Sequence, residues 1–392
     1  MKYDFDKIVD RIGTNSLKYD FAVERGKAPD VLPLWVADMD FPTAEPILER
    51  LHTSVSHGIF GYSEPKQRYF DAVAAWYKKF YDWELKSNWL VKTPGVVYAL
   101  AVAVRTFTEP GDSVMIQQPV YYPFSEVIED NNRKLVSNDL QLVDGHYEID
   151  FEDFENKIIE NNIKLFVFCS PHNPVGRVWT KEELLRLGDI CIKHDVLVVS
   201  DEIHADFTFP GFKHTVLASL SEEIAERTIT CTAPSKTFNL AGLQVSNIWI
   251  SNGSLRKKFR HGVAATGYSQ LNSLGLVACE AAYETGEEWL TQLKQYLLGN
   301  LQFLENYLER ELPEIKMIHP EGTYLIWLDC RELGLTSAEL DDLVENKAKL
   351  WLDSGKIFGK TGEGFQRINI ACPRATLEKA MEQWKNAVRN SL

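Results

Sequence analysis

Between Lys164 and Asp201 the chain reads as two short apolar strands joined through one capped helix, a unit that few folds accept. Leu165-Phe166-Val167-Phe168-Cys169 is apolar at every position, so both of its faces must be covered by other structure. Thr180-Lys181-Glu182-Glu183 then has the pattern of a capping box, followed by Leu184, Leu187, Ile190 and Cys191 at helical spacing. Val196–Val199 is a second apolar strand, with Asp201 expected just past its carboxyl end. Strand, helix and strand in that order predict a parallel sheet between layers of helix. Similar alternation runs from about residue 49 to 288, including a strand over Val114–Gln117 and a helix from about Val96 to Phe107. Beyond 289, long amphipathic helices over 289–310 and 377–389 flank short strands near 324–328 and 365–371. The expected fold class is therefore α/β: a large domain, 49–288, with a mostly parallel mixed sheet, and a smaller α+β domain, 289–392. The proline-rich segment 1–48 is expected to pack with the small domain.

Composition narrows the function. The 392 residues carry a net charge of −14, with no Lys/Arg run that could follow a phosphate backbone or an anionic membrane, so neither is an expected partner. The start, Met1-Lys2-Tyr3-Asp4-Phe5-Asp6, has acids where a secretory leader needs an apolar run. The six cysteines show no C-x-x-C spacing and are expected to be buried free thiols. A cytoplasmic enzyme acting on small molecules is the expectation, and no metal site is expected.

Lys236 carries the chemical argument. It is the only charged residue in the 28 from Thr228 to Leu255, where the chain's 25% charged composition would put about seven. An ammonium in apolar surroundings has a lowered pKa and is primed to form a Schiff base, although a lysine on a loop between strands is the plainer alternative. If Lys236 anchors pyridoxal 5'-phosphate, other groups must be found for each part of that cofactor. The ring nitrogen needs a carboxylate, and Asp201 ends a strand where open α/β sheets bind ligands. The phosphate needs backbone N–H groups at a helix start, which Thr93-Pro94-Gly95-Val96-Val97 offers. The ring face needs an aromatic cover, available in Pro119-Val120-Tyr121-Tyr122. The turn Ser170-Pro171-His172-Asn173-Pro174-Val175-Gly176 carries Asn173 to the same rim. In Phe365-Gln366-Arg367-Ile368-Asn369-Ile370-Ala371, Arg367 shares a strand face with Asn369 and could clamp a carboxylate in two-pronged fashion.

These segments resemble a known family in order and spacing. Asn173-Pro-x-Gly, Asp201-Glu202-x-His204, Ser235-Lys236 and the Arg367 segment are similar to the fold-type I aminotransferase superfamily of pyridoxal-phosphate enzymes. Leu34-Trp-Val-Ala-Asp-Met-Asp-Phe41, Phe60-Gly61-Tyr62-Ser63 and Ala233-Pro-Ser-Lys-Thr-Phe-Asn239 resemble its MalY/PatB-type cystathionine β-lyases, or C–S lyases. The resemblance implies that Lys236 holds the cofactor, Asp201 pairs with the pyridinium, Asn173 bonds the ring's phenolic oxygen and Tyr121 stacks on the ring. It places Gly95, Val96, Val97 and Ser235 at the phosphate, with Tyr62 reaching that site in the neighbouring subunit of a homodimer. Arg367, with Ala37 and Asn173, would hold the substrate. His204 stands where many aminotransferases carry a tyrosine, and Gln244 where many carry a phosphate-binding arginine. The implied reaction is α,β-elimination from cystathionine or a related thioether, releasing thiol, pyruvate and ammonia. An aminotransferase of the same fold and a regulatory protein that binds a transcription regulator are the alternatives.

Overall fold

In a computed structural model, which describes residues 3–391, the apolar strands of the sequence lie side by side in one twisted sheet. Its strands are β1 (Leu90–Thr93), β2 (Ser113–Ile116), β3 (Lys134–Ser137), β4 (Leu165–Cys169), β5 (Leu197–Asp201), β6 (Thr228–Thr232) and β7 (Ser246–Trp249). They are ordered β1-β7-β6-β5-β4-β2-β3, and all run parallel except β7, which is antiparallel to both neighbours. Every residue of β4 is buried, as its unbroken apolar run requires. The helix after β4, Lys181–Lys193, opens on Thr180 with both arms of the capping box in place. Asp201 is the last residue of β5 rather than the first beyond it, because its backbone still pairs with β4 and β6.

The carboxyl ends of β2, β4, β5 and β6 point to one edge of the sheet, and the turns that follow them carry Tyr121, Asn173, Asp201 and Lys236 there. At that edge the second sheet begins. It comprises β8 (Lys316–Met317), β9 (Leu325–Asp329), β10 (Asp353–Ser354) and β11 (Phe365–Asn369), ordered β8-β9-β11-β10 and antiparallel throughout. Helices Glu287–Glu311 and Arg374–Ser391 flank it. Helix Glu45–His57 crosses residue 48 and packs along Ser273–Thr285, so the expected break at 48/49 falls inside one element. Met1 and Lys2, part of the N-terminal reading, lie outside the described residues.

Segment Leu34–Phe41 joins the two sheets as an extended strap. Its start pairs with the small sheet, where the Asn369 N–H donates to the Leu34 carbonyl at 2.8 Å. The Asn369 side-chain amide donates to the carbonyls of Val36 and Asp38, both at 2.7 Å. From the other side, the Asn239 amide donates to the carbonyls of Met39 (3.0 Å) and Phe41 (2.9 Å) and accepts from the Met39 N–H. Where regular sheet pairing lapses along the strap, two asparagines supply several of its backbone partners, beside the Asp40 N–H donating to the Ala371 carbonyl at 3.0 Å. Its acids are tied down too: Lys18, fully buried, reaches Asp40 at 2.9 Å, and Arg11 bridges Asp38 and Asp40 at 2.6 and 2.8 Å.

All six cysteines are buried and free. No helix among the described residues is long and apolar enough to cross a membrane. Asn369→Ala should cost about 2–3 kcal/mol, since two carbonyls lose their donor while staying partly buried. Urea unfolding checks it: the midpoint falls with the slope unchanged.

Candidate active site

Lys236 lies in the short helix Pro234–Thr237 that directly follows β6. Its Nζ donates to the Ala37 carbonyl of the strap at 3.0 Å. The same carbonyl accepts from the Tyr324 hydroxyl, also at 3.0 Å. The ammonium faces the crevice, yet surrounding protein strips enough water to lower its pKa to about 8. Asp38 and Asp201 pull that value back up, and Arg367 pushes it further down. Near neutral pH the amine is thus within reach of its free-base form. The isolation seen in the sequence corresponds to a real desolvation.

Asp201 and Glu202 are adjacent, buried carboxylates with opposite circumstances. Glu202 is consumed by structure: it accepts from the Ser200 hydroxyl and pairs with His214, both at 2.8 Å, and takes the Leu217 N–H at 3.2 Å. Asp201 accepts only the Ile203 N–H, at 3.1 Å. Burial therefore pushes its pKa up to about 7, against the opposing pull of the Ile203 N–H and Lys236. Such a carboxyl is short of one cationic donor. Beside it, the His204 Nδ1 is buried without a hydrogen-bond partner, and burial drives that imidazole well below its ordinary pKa, towards the neutral form.

Arg367, on β11, is 2% exposed, and the solvated strand face that would be its ordinary setting is absent. It donates to the Asn173 side-chain oxygen at 3.0 Å, to the Trp35 carbonyl at 2.8 Å, and to the Asp353 carboxylate. Its Nε remains without a partner. Phe358 lies under the guanidinium at 4.9 Å. Asn173 is tied to the ring-cover loop as well, since its carbonyl accepts from the Tyr121 N–H at 3.1 Å. The Tyr121 hydroxyl is pushed up by burial and stays neutral.

At the opposite end of the crevice, Gly95 caps helix Val96–Phe107 in an extended conformation, and no atom beyond its adjoining residues lies within 4 Å of where a Cβ would be. Open space therefore faces the first helical N–H groups. Val96 is buried, Val97 is 37% exposed, and Ser235 is half-buried beside Lys236. Gln244 is exposed in a left-handed turn, φ 48°, and brings no positive charge to this end. Ala37 is placed by its carbonyl. Tyr62 is not brought into the crevice of this chain: it is 95% exposed, on a loop beside Ile59 (73%) and Phe60 (63%).

Two groups escaped the sequence reading. Asp353, the carboxylate partner of Arg367, lies in Leu350-Trp351-Leu352-Asp353, where a lone acid after three apolar residues was a usable signal. Tyr324 carried none, because a tyrosine in an apolar strand reads as core.

Pyridoxal phosphate fits this arrangement. A protonated ring nitrogen supplies the donor that Asp201 lacks, the open space beside Gly95 leaves room for a phosphate near the helix N–H groups, and Lys236 offers an amine for the aldehyde. The comparisons agree. The model of aminotransferase class I and II matches residues 29–383. Cystathionine β-lyase PatB of Bacillus subtilis is 46% identical over 98% of this chain and 100% of its own. A solved pyridoxal-phosphate-bound C–S lyase from Staphylococcus hominis is 35% identical, with a TM-score of 0.92 over 99% of this chain and 98% of that one. A pyridoxal-phosphate-bound putative aminotransferase from Clostridium difficile is 43% identical, with a TM-score of 0.96 over 99% of this chain and 100% of that one.

The raised Asp201 pKa gives cofactor-free protein a pH-dependent stability. The fold holds this proton more tightly than the unfolded chain does, whose aspartate titrates near 4, so stability falls as pH rises from about 4 through about 7 and is level above. The loss is up to about 4 kcal/mol. Urea unfolding of cofactor-free protein at pH 5 and pH 8 measures it, and Asp201→Asn should remove this contribution to the slope.

Proposed function

Because the chain belongs to the aminotransferase class I and II family, we propose its function within that family's pyridoxal-phosphate chemistry. It is a pyridoxal-phosphate-dependent carbon–sulfur β-lyase acting on small sulfur amino acids. The observation that carries the mechanism is Lys236: a crevice amine with a pKa near 8, set between Asp201 and Arg367. When bound, pyridoxal phosphate supplies an electron sink that makes the substrate's Cα–H acidic. The rest is done by residues of this chain.

Lys236 holds the cofactor at rest, and Asp201 keeps the ring nitrogen protonated by accepting its hydrogen bond. Asn173 meets the ring's phenolic oxygen, His204 and Tyr121 bound its faces, and the N–H groups after Gly95, at Val96 and Val97, take the phosphate together with Ser235. Arg367 receives the substrate α-carboxylate, for which its partnerless Nε and its fixed, stacked plane are suited. Asn173 and the strap at Ala37 complete that pocket.

The Lys236 amine, once free, takes the Cα proton, and burial shifts it towards the free-base form this step needs. The Cβ–S bond then breaks, the sulfur departs with the electron pair, and the lysine ammonium returns a proton to the thiolate. With one water consumed, a thioether of L-cysteine yields thiol, pyruvate and ammonium. The Ala37 carbonyl gives the ammonium a resting place between steps, which keeps the returned proton local.

The exposed Ile59-Phe60-Gly61-Tyr62 loop supports a homodimer in which Tyr62 reaches the partner's phosphate site. That added hydroxyl would help offset the missing positive charge at Gln244. A cytoplasmic setting accords with the reduced, buried cysteines.

Lys236→Ala should lower pyruvate release from cystathionine by at least about 10³-fold, since both base and anchor are lost. Parent-like release by that variant overturns the assignment. Pyruvate should form without any added 2-oxo acid, whereas strict dependence on one would mark a transaminase.

A further inference from the structure

Near the crevice the N-terminal segment carries an exposed cation, Arg25, that pairs with no described acid. Arg25 sits in a turn fixed by its own N–H donating to the Phe21 carbonyl at 3.2 Å and by the Lys27 N–H donating to the Ala22 carbonyl at 2.8 Å. Ala22 packs with Trp35 and Trp351, whose rings stack 4.4 Å apart at 11°. The Arg25 guanidinium lies over the Trp35 ring, 5.6 Å from its centre. Trp35 is also the residue whose carbonyl accepts from Arg367. The neighbouring cations are all engaged: Lys27 with Glu345, Lys18 with Asp40, and Arg11 with Asp38 and Asp40. Arg25 makes no side-chain hydrogen bond or ion pair with any described residue.

A continuous wall connects the two guanidiniums. Tyr122 lies against Phe358 at 6.4 Å, and Phe358 lies under Arg367. Burial and Asp353 raise the Tyr122 hydroxyl, while Arg367 and Arg25 both lower it, so one hydroxyl is within electrostatic reach of both arginines. Charge accounting then separates their tasks. The Arg367 charge is already matched by Asp353 in a buried pair, so it has little to offer a carboxylate beyond the substrate's own α-carboxylate. A second carboxylate farther out along the substrate would need another cation, and Arg25, beside the Trp35 that bonds Arg367, is unpaired among the described residues. The indole face holds the guanidinium plane while leaving its N–H edge open for two-pronged binding.

We propose that Arg25 is a specificity-determining residue that binds a second carboxylate, selecting L-cysteine thioethers whose departing arm ends in an amino-acid or other carboxylate group. This rests on the lyase reading of the site and names the kind of leaving arm it takes. The bond broken and the proton transfers stay as described above; only recognition of the departing half is added.

The test compares pyruvate release by holoenzyme from L-cystathionine, whose departing arm carries a carboxylate, and from S-methyl-L-cysteine, whose arm has none. Arg25→Gln should lower the ratio of kcat/KM values, cystathionine over S-methylcysteine, by about tenfold or more, the scale for losing a hydrogen bond to a charged group. The loss should appear in KM for cystathionine rather than in kcat. Arg25→Lys, which keeps the charge and loses the fork, should fall between parent and Arg25→Gln. A ratio within about twofold of the parent, or an equal fall for both substrates as from a merely structural role, overturns the proposal. Parent protein that releases no pyruvate from either compound overturns the lyase reading instead, and the proposal with it.

Discussion

The Ala37 carbonyl is the point on which the two sheets and the chemistry meet. It accepts from Lys236 on the large sheet's rim and from Tyr324 at the small sheet's edge. A carbonyl can accept twice, so one strap residue ties the nucleophile to the other half of the molecule. Asn369 and Asn239 bond peptide groups on either side of that carbonyl and help hold it in place. These two asparagines come from the same two segments that supply Arg367 and Lys236. Positioning of the strap, the carboxylate clamp and the amine is thus shared among a few residues, and a shift in one is felt by the others.

The crevice is held slightly out of electrostatic balance by design of its neighbours. Glu202, one residue from Asp201, has three partners and a settled role in the core. Asp201 has one, and its proton affinity rises accordingly. Lys236 is displaced in the opposite sense, towards its neutral form. A carboxyl pushed up and an amine pushed down, facing each other across one crevice, mark a site that expects a further charged group. Arg367 differs: its charge is cancelled by Asp353, and what it offers is geometry, a fixed plane over Phe358 with an N–H still to give.

Much of this was legible in the sequence, for reasons that follow from chain physics. The β4–helix–β5 unit could be read because a strand covered on both faces must be apolar throughout, and a capping box is a local signal. Lys236 could be read because a desolvated amine excludes other charges from its stretch of chain. Asn173 and Asp201 followed from their places at strand ends. What could not be read depends on pairing across long separations: Tyr324 with Ala37, Lys18 with Asp40, Arg25 over Trp35. None of these pairs leaves a periodicity or a spacing, and residues 32–41 looked merely irregular. The two-sheet strap was therefore invisible, although its residues formed the longest of the motifs that carried the resemblance.

The division between rigid and peripheral elements bears on what such a site can vary. The groups proposed to move protons and hold the ring stand on strand ends and short helices, where backbone pairing fixes them to within small displacements. Arg25 instead stands exposed on an N-terminal turn. Removal of the Cα proton is common to elimination and transamination, so Lys236 and Asp201 alone do not separate those reactions. Separation must come from how the departing arm is held while the Cβ–S bond breaks, because orbital alignment and exclusion of competing acceptors are set there. The residues that decide the reaction's outcome thus lie farther from the cofactor than those that make it possible. An unpaired arginine against a tryptophan at the mouth is a feature of that outer kind, and its charge is matched only when a substrate of the right length brings the second carboxylate.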